Sequence, residues 1–328
     1  MKESKSAFHN KPLAGLSLDL DNQWSYMKTH GDTGWEKFPS YFDVFIPPFL
    51  DLLDELNLRI TFFIVGQDAA LEKNADALRE VTRRGHEVGN HSFYHEPWLH
   101  LYSKEQIKTE IYKAEEHINK ATGQRPLGFR GPGFSYSKEL FEVLVDNHYM
   151  YDASTFPTYL GPLARLYYFW TSHLTEAEKN QRDELFGRFK DGLRPVKPYF
   201  LGLPSGDLFL ELPVTTIPVF KMPFHLSYLI YISRFSRLLM SFYLNAAIML
   251  CRMTGTRPSF LLHPLDFLDR SLVPELSFFP GMDMDKERKI DIFIRVLEGI
   301  ASHFELANMS SFAKDVIKEK SLEVVCVY

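Results

Sequence analysis

The sequence predicts an α/β fold built on parallel strands, and three observations predict it. Short apolar strands alternate with helical stretches from Leu13 to about Ser154. The connections between strands are helix-length rather than turn-length, as parallel strands require. Asp19, Asp21, His91, Arg130 and Asp152 all fall at the ends of expected strands, where such folds place their chemistry.

The first strand is LAGLSLDLD, from about Leu13 to Asp21. Leu16, Leu18 and Leu20 alternate with Ser17, Asp19 and Asp21, so both carboxylates point to the same side. An apolar helix is expected from Phe45 to Leu56, then a buried strand in RITFFIVG closed by Gly66. The helix LEKNADALREVTRRG stops on Gly85 with Arg83 and Arg84 in its last turn, and HEVGNHS follows as a short strand. Ser103 to Thr122 reads as a helix that opens with a Ser103–Gln106 capping box. LGFRGP runs from strand to loop, Lys138 to Asn147 is helical, and YMYDAS is the next strand.

The alternation breaks between residues 158 and 206, where Gly161-Pro162, Gly192, Pro195, Pro198, Gly202 and Pro204 surround a charged helix. This segment is expected to be an insertion or cap within a single domain of residues 1–328. Alternation resumes with the strand LFLELPVTTIP, an apolar helical stretch to Cys251, the strand PSFLLHP and a last helix from Lys286 to Phe304. No internal repeat or low-complexity tract is present.

Composition narrows the function. The 328 residues carry 37 Lys and Arg against 42 Asp and Glu, a net charge of −5, with no basic cluster suited to a row of phosphates. A nucleic-acid partner is therefore not expected. Aromatic residues reach 15%, with 28 Phe and 16 Tyr, enough to line a carbohydrate or lipid groove as well as a core. The two cysteines, Cys251 and Cys326, make neither a disulfide framework nor a thiolate site, and point to a reducing compartment. The opening MKESKSAFHNKPLAG lacks the apolar core of a signal peptide. The run from Leu226 to Cys251 is interrupted by Arg234, Arg237 and Asn245 and is too polar to span a bilayer. A cytoplasmic protein, able to rest on the inner face of a membrane, is the expectation.

The chemistry concentrates in a few residues. His91 and His95 lie four positions apart and would share a face if that segment were helical, close enough to hold one ion together. An aspartate at a strand end is costly to bury unless it is paired, hydrogen-bonded or on a metal, and two facing the same way repel. One carboxylate of the pair with His91 and His95 is a set that leaves positions open for water and substrate. The other carboxylate is then free to serve as general base. His263, in SFLLHPLDF, is a candidate general acid, Arg130 in FRGPG a partner for the base, and the backbone at Gly133 a candidate oxyanion donor.

Taken in order, LDLDN, NHSFYHEP, FRGPGFSY, YDASTFP and FLLHP resemble the five motifs of the polysaccharide deacetylase (NodB-homology) family, over roughly Leu13 to Pro264. The resemblance implies a distorted (β/α) barrel of about seven parallel strands and a divalent ion, zinc ahead of cobalt, nickel or iron. Carried across, it implies Asp19 as base, Asp21, His91 and His95 as ligands, and His263 as acid. Arg130 would orient Asp19, and Asp152 would tune His263 or shape the groove. Three features depart from the usual pattern. The first motif is Asp-x-Asp and resembles the cytoplasmic branch. Gly133 stands where an aromatic is common, and Thr155-Phe156-Pro157 replaces a motif that usually holds tryptophan.

The expected activity is metal-dependent removal of an N-acyl group, N-acetyl first, from an amino sugar of a polysaccharide or glycan precursor. A deformylase or deacetylase of a lipid-linked sugar, or an allantoinase-like amide hydrolase, is the alternative. A catalytically silent sugar-binding protein is the alternative of another class. The expected partners are a carbohydrate or glycolipid substrate, with membrane contact favoured by Tyr167-Tyr168-Phe169-Trp170 and the Leu226–Cys251 run, and a homo-oligomer is left open.

Overall fold

The computed structural model describes residues 11–172, 174–182, 185, 187–319 and 322–327. Its strands, in chain order, are β1 (Leu13–Leu20), β2 (Thr61–Ile64), β3 (Glu87–Asn90), β4 (Gly128–Phe129), β5 (Tyr151–Asp152), β6 (Tyr199–Gly202), β7 (Leu208–Glu211), β8 (Ser259–Leu262), β9 (Glu305–Ala307) and β10 (Val324–Cys326). The helices on the first half are α1 (Gln23–His30), α2 (Phe42–Glu55), α3 (Gly66–Ala70), α4 (Ala75–Arg83), α5 (Lys104–Thr122) and α6 (Lys138–Asp146). Those on the second half are α7 (Gly161–Thr171), α8 (Glu176–Gln181), α9 (Leu226–Phe235), α10 (Arg237–Thr254), α11 (Lys286–Ala301) and α12 (Met309–Val316).

Seven strands pair in parallel in the order β8-β1-β2-β3-β4-β5-β7. The ring closes just past β7 without a regular ladder. The Thr215 amide donates to the Ser259 carbonyl (3.1 Å), and the Ser259 amide donates to Thr215 Oγ1 (2.7 Å). This is the expected distorted barrel. Strand β6 runs antiparallel to β7, β10 extends that edge, and β9 adds to the start of β1.

The alternation of β1 sets the two layers. Ala14, Leu16, Leu18 and Leu20 join the apolar layer between the strands and α2, α10 and α11. Ser17 and Asp19 take the opposite face and meet polar groups from the far strands. α12, which the sequence patterning did not single out, packs under β1. A Cβ on Gly15 would lie 2.6 Å from Met309 Sδ and 2.9 Å from Phe312 Cδ1, so a larger residue there would have to push both side chains aside. Met309 donates its amide to Thr61 Oγ1 (2.8 Å), and Ser310 bonds to Glu87 inside the barrel.

Local differences from the sequence reading have physical causes. The helix expected from Phe45 begins at Phe42 and holds Pro47 and Pro48 in its interior, at the cost of two backbone donors. Its buried face of Phe42, Phe45, Ile46, Phe49, Leu50 and Leu53 offsets that cost. The apolar run to Cys251 is two helices, broken at Ser236, whose hydroxyl caps α10 by accepting from the Leu239 amide (3.2 Å). The strand expected through Pro218 stops at Glu211, and the last helix ends at Ala301 rather than Phe304. Residues 158–206 hold α7, α8 and a short 3₁₀ turn at Phe189–Leu193, but β6 belongs to the sheet. Cys251 and Cys326 are both free. No helix among the described residues is long and apolar enough to cross a membrane.

Candidate metal centre and active site

Asp21, His91 and His95 converge at the C-terminal end of the barrel strands. Asp21 follows β1, and His91 follows β3. Their ligand atoms all lie within 4.8 Å of one another, and all three side chains are buried. Asp21 Oδ1 is 3.3 Å from His91 Nε2 and 2.9 Å from His95 Nε2. Donors bound at about 2.1 Å in a tetrahedral site lie roughly 3.4 Å apart, so the spacing suits one small divalent ion.

The surrounding bonds prepare these atoms as ligands. His91 Nδ1 donates to the Arg130 carbonyl (2.6 Å), which fixes the tautomer that leaves Nε2 a free lone pair. Asp21 Oδ1 is buried with no hydrogen-bond partner, and so is His95 Nδ1. A buried, unpartnered carboxylate oxygen aimed at two imidazoles is the arrangement a cation satisfies. Burial works against ionisation of Asp21, but His95 and His91 outweigh it and hold the carboxyl far below its usual range. Burial would likewise lower His91, yet Asp19 and Asp21 reverse the net shift upward. The residues present therefore fit a divalent ion.

The His91–His95 segment is not helical, contrary to the expectation from its four-residue spacing. It is a loop in which Ser92 (φ 59°) and His95 (φ 53°) both adopt the left-handed conformation. Such strain persists only where the surroundings over-determine it. Here the Phe93 and Tyr94 amides donate to Glu110 Oε2 of α5 (2.9 and 3.0 Å), and the His95 amide donates to Ser92 Oγ (3.2 Å). The left-handed kinks bring His95 back toward Asp21 as a helical turn would have done.

Asp19 lies deeper on β1. Arg130 Nη1 donates to Asp19 Oδ1 (2.8 Å) and to Ser17 Oγ (3.0 Å), while its Nε donates to the Ala153 carbonyl (3.0 Å). The guanidinium is fully buried and sits over the Phe63 ring, with its carbon 4.5 Å from the centroid. The following turn is tight, because a Cβ on Gly131 would lie 1.9 Å from the Ser135 carbonyl oxygen. Gly133 is left-handed (φ 59°) and packs against Pro97 of the His95 loop and against Leu185.

His263 follows β8, which pairs with β1 so that Leu262 is level with Leu18. Its Nδ1 is 3.2 Å from Ser227 Oγ and 4.0 Å from Asp266 Oδ2, and its amide donates to Asp266 (2.9 Å). Asp152 does not touch His263 and has no exposed surface with which to shape a groove. Its carboxylate accepts from the Ser154 amide (3.0 Å) and hydroxyl (2.7 Å), and it lies beside Glu211. Burial and the neighbouring Asp152 charge push the Glu211 carboxyl well up. The reason is register: Asp152 pairs with Glu211 on β7, so β7 stands between it and β8.

Several residues packed around the candidate site carried no expectation from the sequence. Asp266 and Ser227 flank His263 in the place assigned to Asp152. The Tyr41 hydroxyl donates to the Asp21 carbonyl. Asp68, pushed up to about 7 by burial, accepts from Asn22 (2.7 Å) and Trp24 (2.9 Å) and so anchors the chain just after Asp21. Asp266, three residues after His263, had a visible signal in LLHPLD. Glu110 had none, because its partners are backbone amides.

Comparison with known proteins agrees with the motif resemblance. Residues 32–151 match the sequence model described as polysaccharide deacetylase. A peptidoglycan-N-acetylglucosamine deacetylase of Bacillus cereus is 34% identical over 88 residues, 27% of this chain and 31% of that protein. A peptidoglycan deacetylase of Helicobacter pylori is 30% identical over 112 residues, 34% of this chain and 37% of that one. The chain thus spans about a third of the length of these relatives. A crystal structure from Mycobacterium smegmatis, described as a candidate polysaccharide deacetylase, superposes with a TM-score of 0.58 at 18% identity, covering 96% of this chain and 94% of that one. That likeness establishes the fold.

Proposed function

We propose that this chain is a divalent-metal-dependent hydrolase that removes an N-acetyl group from an amino sugar of a polysaccharide or glycan precursor. The observation that carries the proposal is the buried Asp21–His91–His95 cluster with the Arg130-held Asp19 on the same strand face. The named activities of the partial relatives support it.

When bound, the ion would polarise the amide carbonyl and acidify water at neutral pH, zinc being the first choice for this donor set. Asp21, His91 and His95 would hold it, with His91 oriented by the Arg130 carbonyl. Asp19 accepts the proton of the attacking water, and the Arg130 guanidinium keeps its carboxylate aimed. As oxygen bonds to the acyl carbon and the carbon–nitrogen bond breaks, His263 protonates the departing nitrogen, giving a carboxylate and a free amine. Ser227 and Asp266 set the orientation of His263. The Gly133 backbone faces the same loop as His95 and is the candidate oxyanion donor.

Helices α7 and α8 are read as a cap over this end. Arg182 at the end of α8 stacks on Trp98 (4.6 Å), and Tyr136 donates to Asp191 (2.5 Å) of the 3₁₀ turn, tying these two parts of the 158–206 insertion to the motif loops. The Tyr167 and Tyr168 side chains lie outside the described residues, while Trp170 beside them is exposed.

A second reading, removal of a formyl or acetyl group from a lipid-linked sugar, is favoured by the exposed apolar faces of α9 and α10. Nothing in the site favours a cyclic ureide. The silent sugar-binding reading conflicts with the presence of all five ligand and acid–base residues. The test is a panel of N-acetylated oligosaccharides, peptidoglycan fragments and polyprenyl-linked sugars, scored for released acetate or formate. Acetate from glycans is expected; release from none of them by metal-loaded protein overturns the proposal.

A further inference from the structure

We infer that the α9–α10 hairpin is a membrane-docking surface for anionic phospholipid. Between Glu211 and Asp266 the sequence contains no Asp or Glu, yet it holds Lys221, Arg234, Arg237, Arg252 and Arg257. A chain of net charge −5 thus keeps one long segment free of carboxylates.

The structure gives that segment a shape. α9 and α10 meet at Ser236, and the bend exposes Phe235 (73%) and Leu238 (84%) at its apex. Phe242, Met249 and Met253 continue the exposed stripe along α10 at helical spacing, with Asn245 and Arg252 among them. The opposite face of α10, Met240, Leu244, Ala247, Ile248 and Cys251, is buried, so the hairpin is fixed to the barrel and its outer face is not a core surface in waiting. Tyr231 stands one turn before Phe235, their rings 5.4 Å apart edge to face. The loop carrying exposed Val219 and Phe220 lies close by, since the Tyr243 hydroxyl of α10 donates to the Pro223 carbonyl (2.7 Å).

Charge decides the occupant. Arg234 and Arg237 flank the apex and Arg252 lies at the far end of α10. Two of them meet acids from another segment, Asp283 at 2.7 Å from Arg234 and Asp291 of α11 at 3.8 Å from Arg237, which leaves Arg252 without an acidic partner among the described residues. An apolar stripe rimmed by arginines, whose own helices carry no carboxylate, suits hydrocarbon beneath anionic headgroups. A two-fold contact with a second copy would set the same arginines against each other.

The surface also bears on the proposed active site. Ser227, in the first turn of α9, touches His263 (3.2 Å), and Phe235 lies eight residues further along, a rise of about 12 Å. Docking would hold the candidate acid near the headgroup layer, within reach of a sugar carried on lipid. This last step rests on the proposed function, whereas docking itself does not.

The test is co-sedimentation of the full chain with vesicles of phosphatidylcholine alone or mixed with phosphatidylglycerol, at low and high salt. The protein is expected to pellet with the mixed vesicles, with partitioning weaker by on the order of tenfold on neutral vesicles or at high salt. The triple variant Phe235→Ser, Leu238→Ser, Phe242→Ser should lose binding by on the order of tenfold or more, with unchanged thermal melting and unchanged hydrolysis of any soluble substrate. Failure of the wild-type chain to pellet with anionic vesicles overturns the inference. So does equal binding by the folded triple variant, or a concentration-dependent dimer that the triple variant abolishes without any vesicle binding. None of these readouts depends on turnover, so failure here and failure of the hydrolase proposal are distinguishable.

Discussion

Arg130 serves Asp19 and His91 at once. Its guanidinium donates to Asp19 Oδ1 at 2.8 Å, and its own carbonyl accepts from His91 Nδ1 at 2.6 Å. One residue thereby fixes both the candidate base and a candidate metal ligand, from just past the end of β4, across the barrel interior from β1. Lysine has one compact ammonium and cannot reproduce the contacts to Asp19, Ser17 and the Ala153 carbonyl together. Arg130→Lys should lower kcat by about 100-fold or more with a small change in KM. It should also cost roughly 3 kcal/mol of stability through the loosened buried pair. Steady-state kinetics and urea unfolding check both; wild-type kcat in Arg130→Lys would remove the guanidinium from the account.

Asp19→Asn separates the base from the metal. It keeps the shape of the side chain and removes the proton acceptor, so kcat should fall by about 10²- to 10⁴-fold. Metal content measured by elemental analysis should stay that of wild type, because Asp19 is not among the converging ligand atoms. Loss of the ion in Asp19→Asn would reassign Asp19 as a ligand.

Glu110 supports the metal loop from outside. Its Oε2 accepts the Phe93 and Tyr94 amides, and its removal leaves both donors without that acceptor. Glu110→Ala should cost about 1–3 kcal/mol and weaken metal affinity by roughly 10- to 100-fold, as loss of a ligand's supporting bonds does. Glu110→Gln, which keeps an acceptor oxygen, should recover most of both. Competition with a chelator measures the affinity; an unchanged value in the alanine variant would show that the loop holds itself.

These supporting residues mark the limit of what the sequence reveals. As candidates, Asp19, Asp21, His91, His95, Arg130 and His263 were legible because strand alternation and residue type single them out. The seven-strand parallel ring was legible as alternation, and the resemblance named it a barrel. The loop conformation at His91–His95 was not, since left-handed Ser92 and His95 break the helical period that the spacing suggested. Asp152 was misplaced for a different reason. Its neighbour is set by strand order across the barrel, which puts Glu211 beside it and gives His263 to Ser227 and Asp266. α12 was missed because its value lies in closing on Gly15, a contact between distant segments.

His86 should make stability depend on pH. Burial first, with help from Arg59, lowers its pKa to about 4, and its Nδ1 accepts from the Ile60 amide (3.2 Å). As pH falls below about 6.5 the unfolded chain takes up a proton that the folded chain refuses until about pH 4. The folded state should therefore lose roughly 3 kcal/mol across that window from this residue. Urea midpoints of wild type and His86→Gln at the two ends of the window test this. The variant should show the shallower pH dependence, and equal dependence would assign the acid sensitivity to other groups.

Hydrolysis is expected to depend on one ion held by Asp21, His91 and His95. The most direct measurement is zinc titration of chelator-stripped wild-type and His91→Ala proteins, following acetate released from an N-acetylated oligosaccharide together with bound metal. Wild type should regain activity as one ion binds per chain, while folded His91→Ala should gain neither. Full activity in metal-free His91→Ala would contradict it.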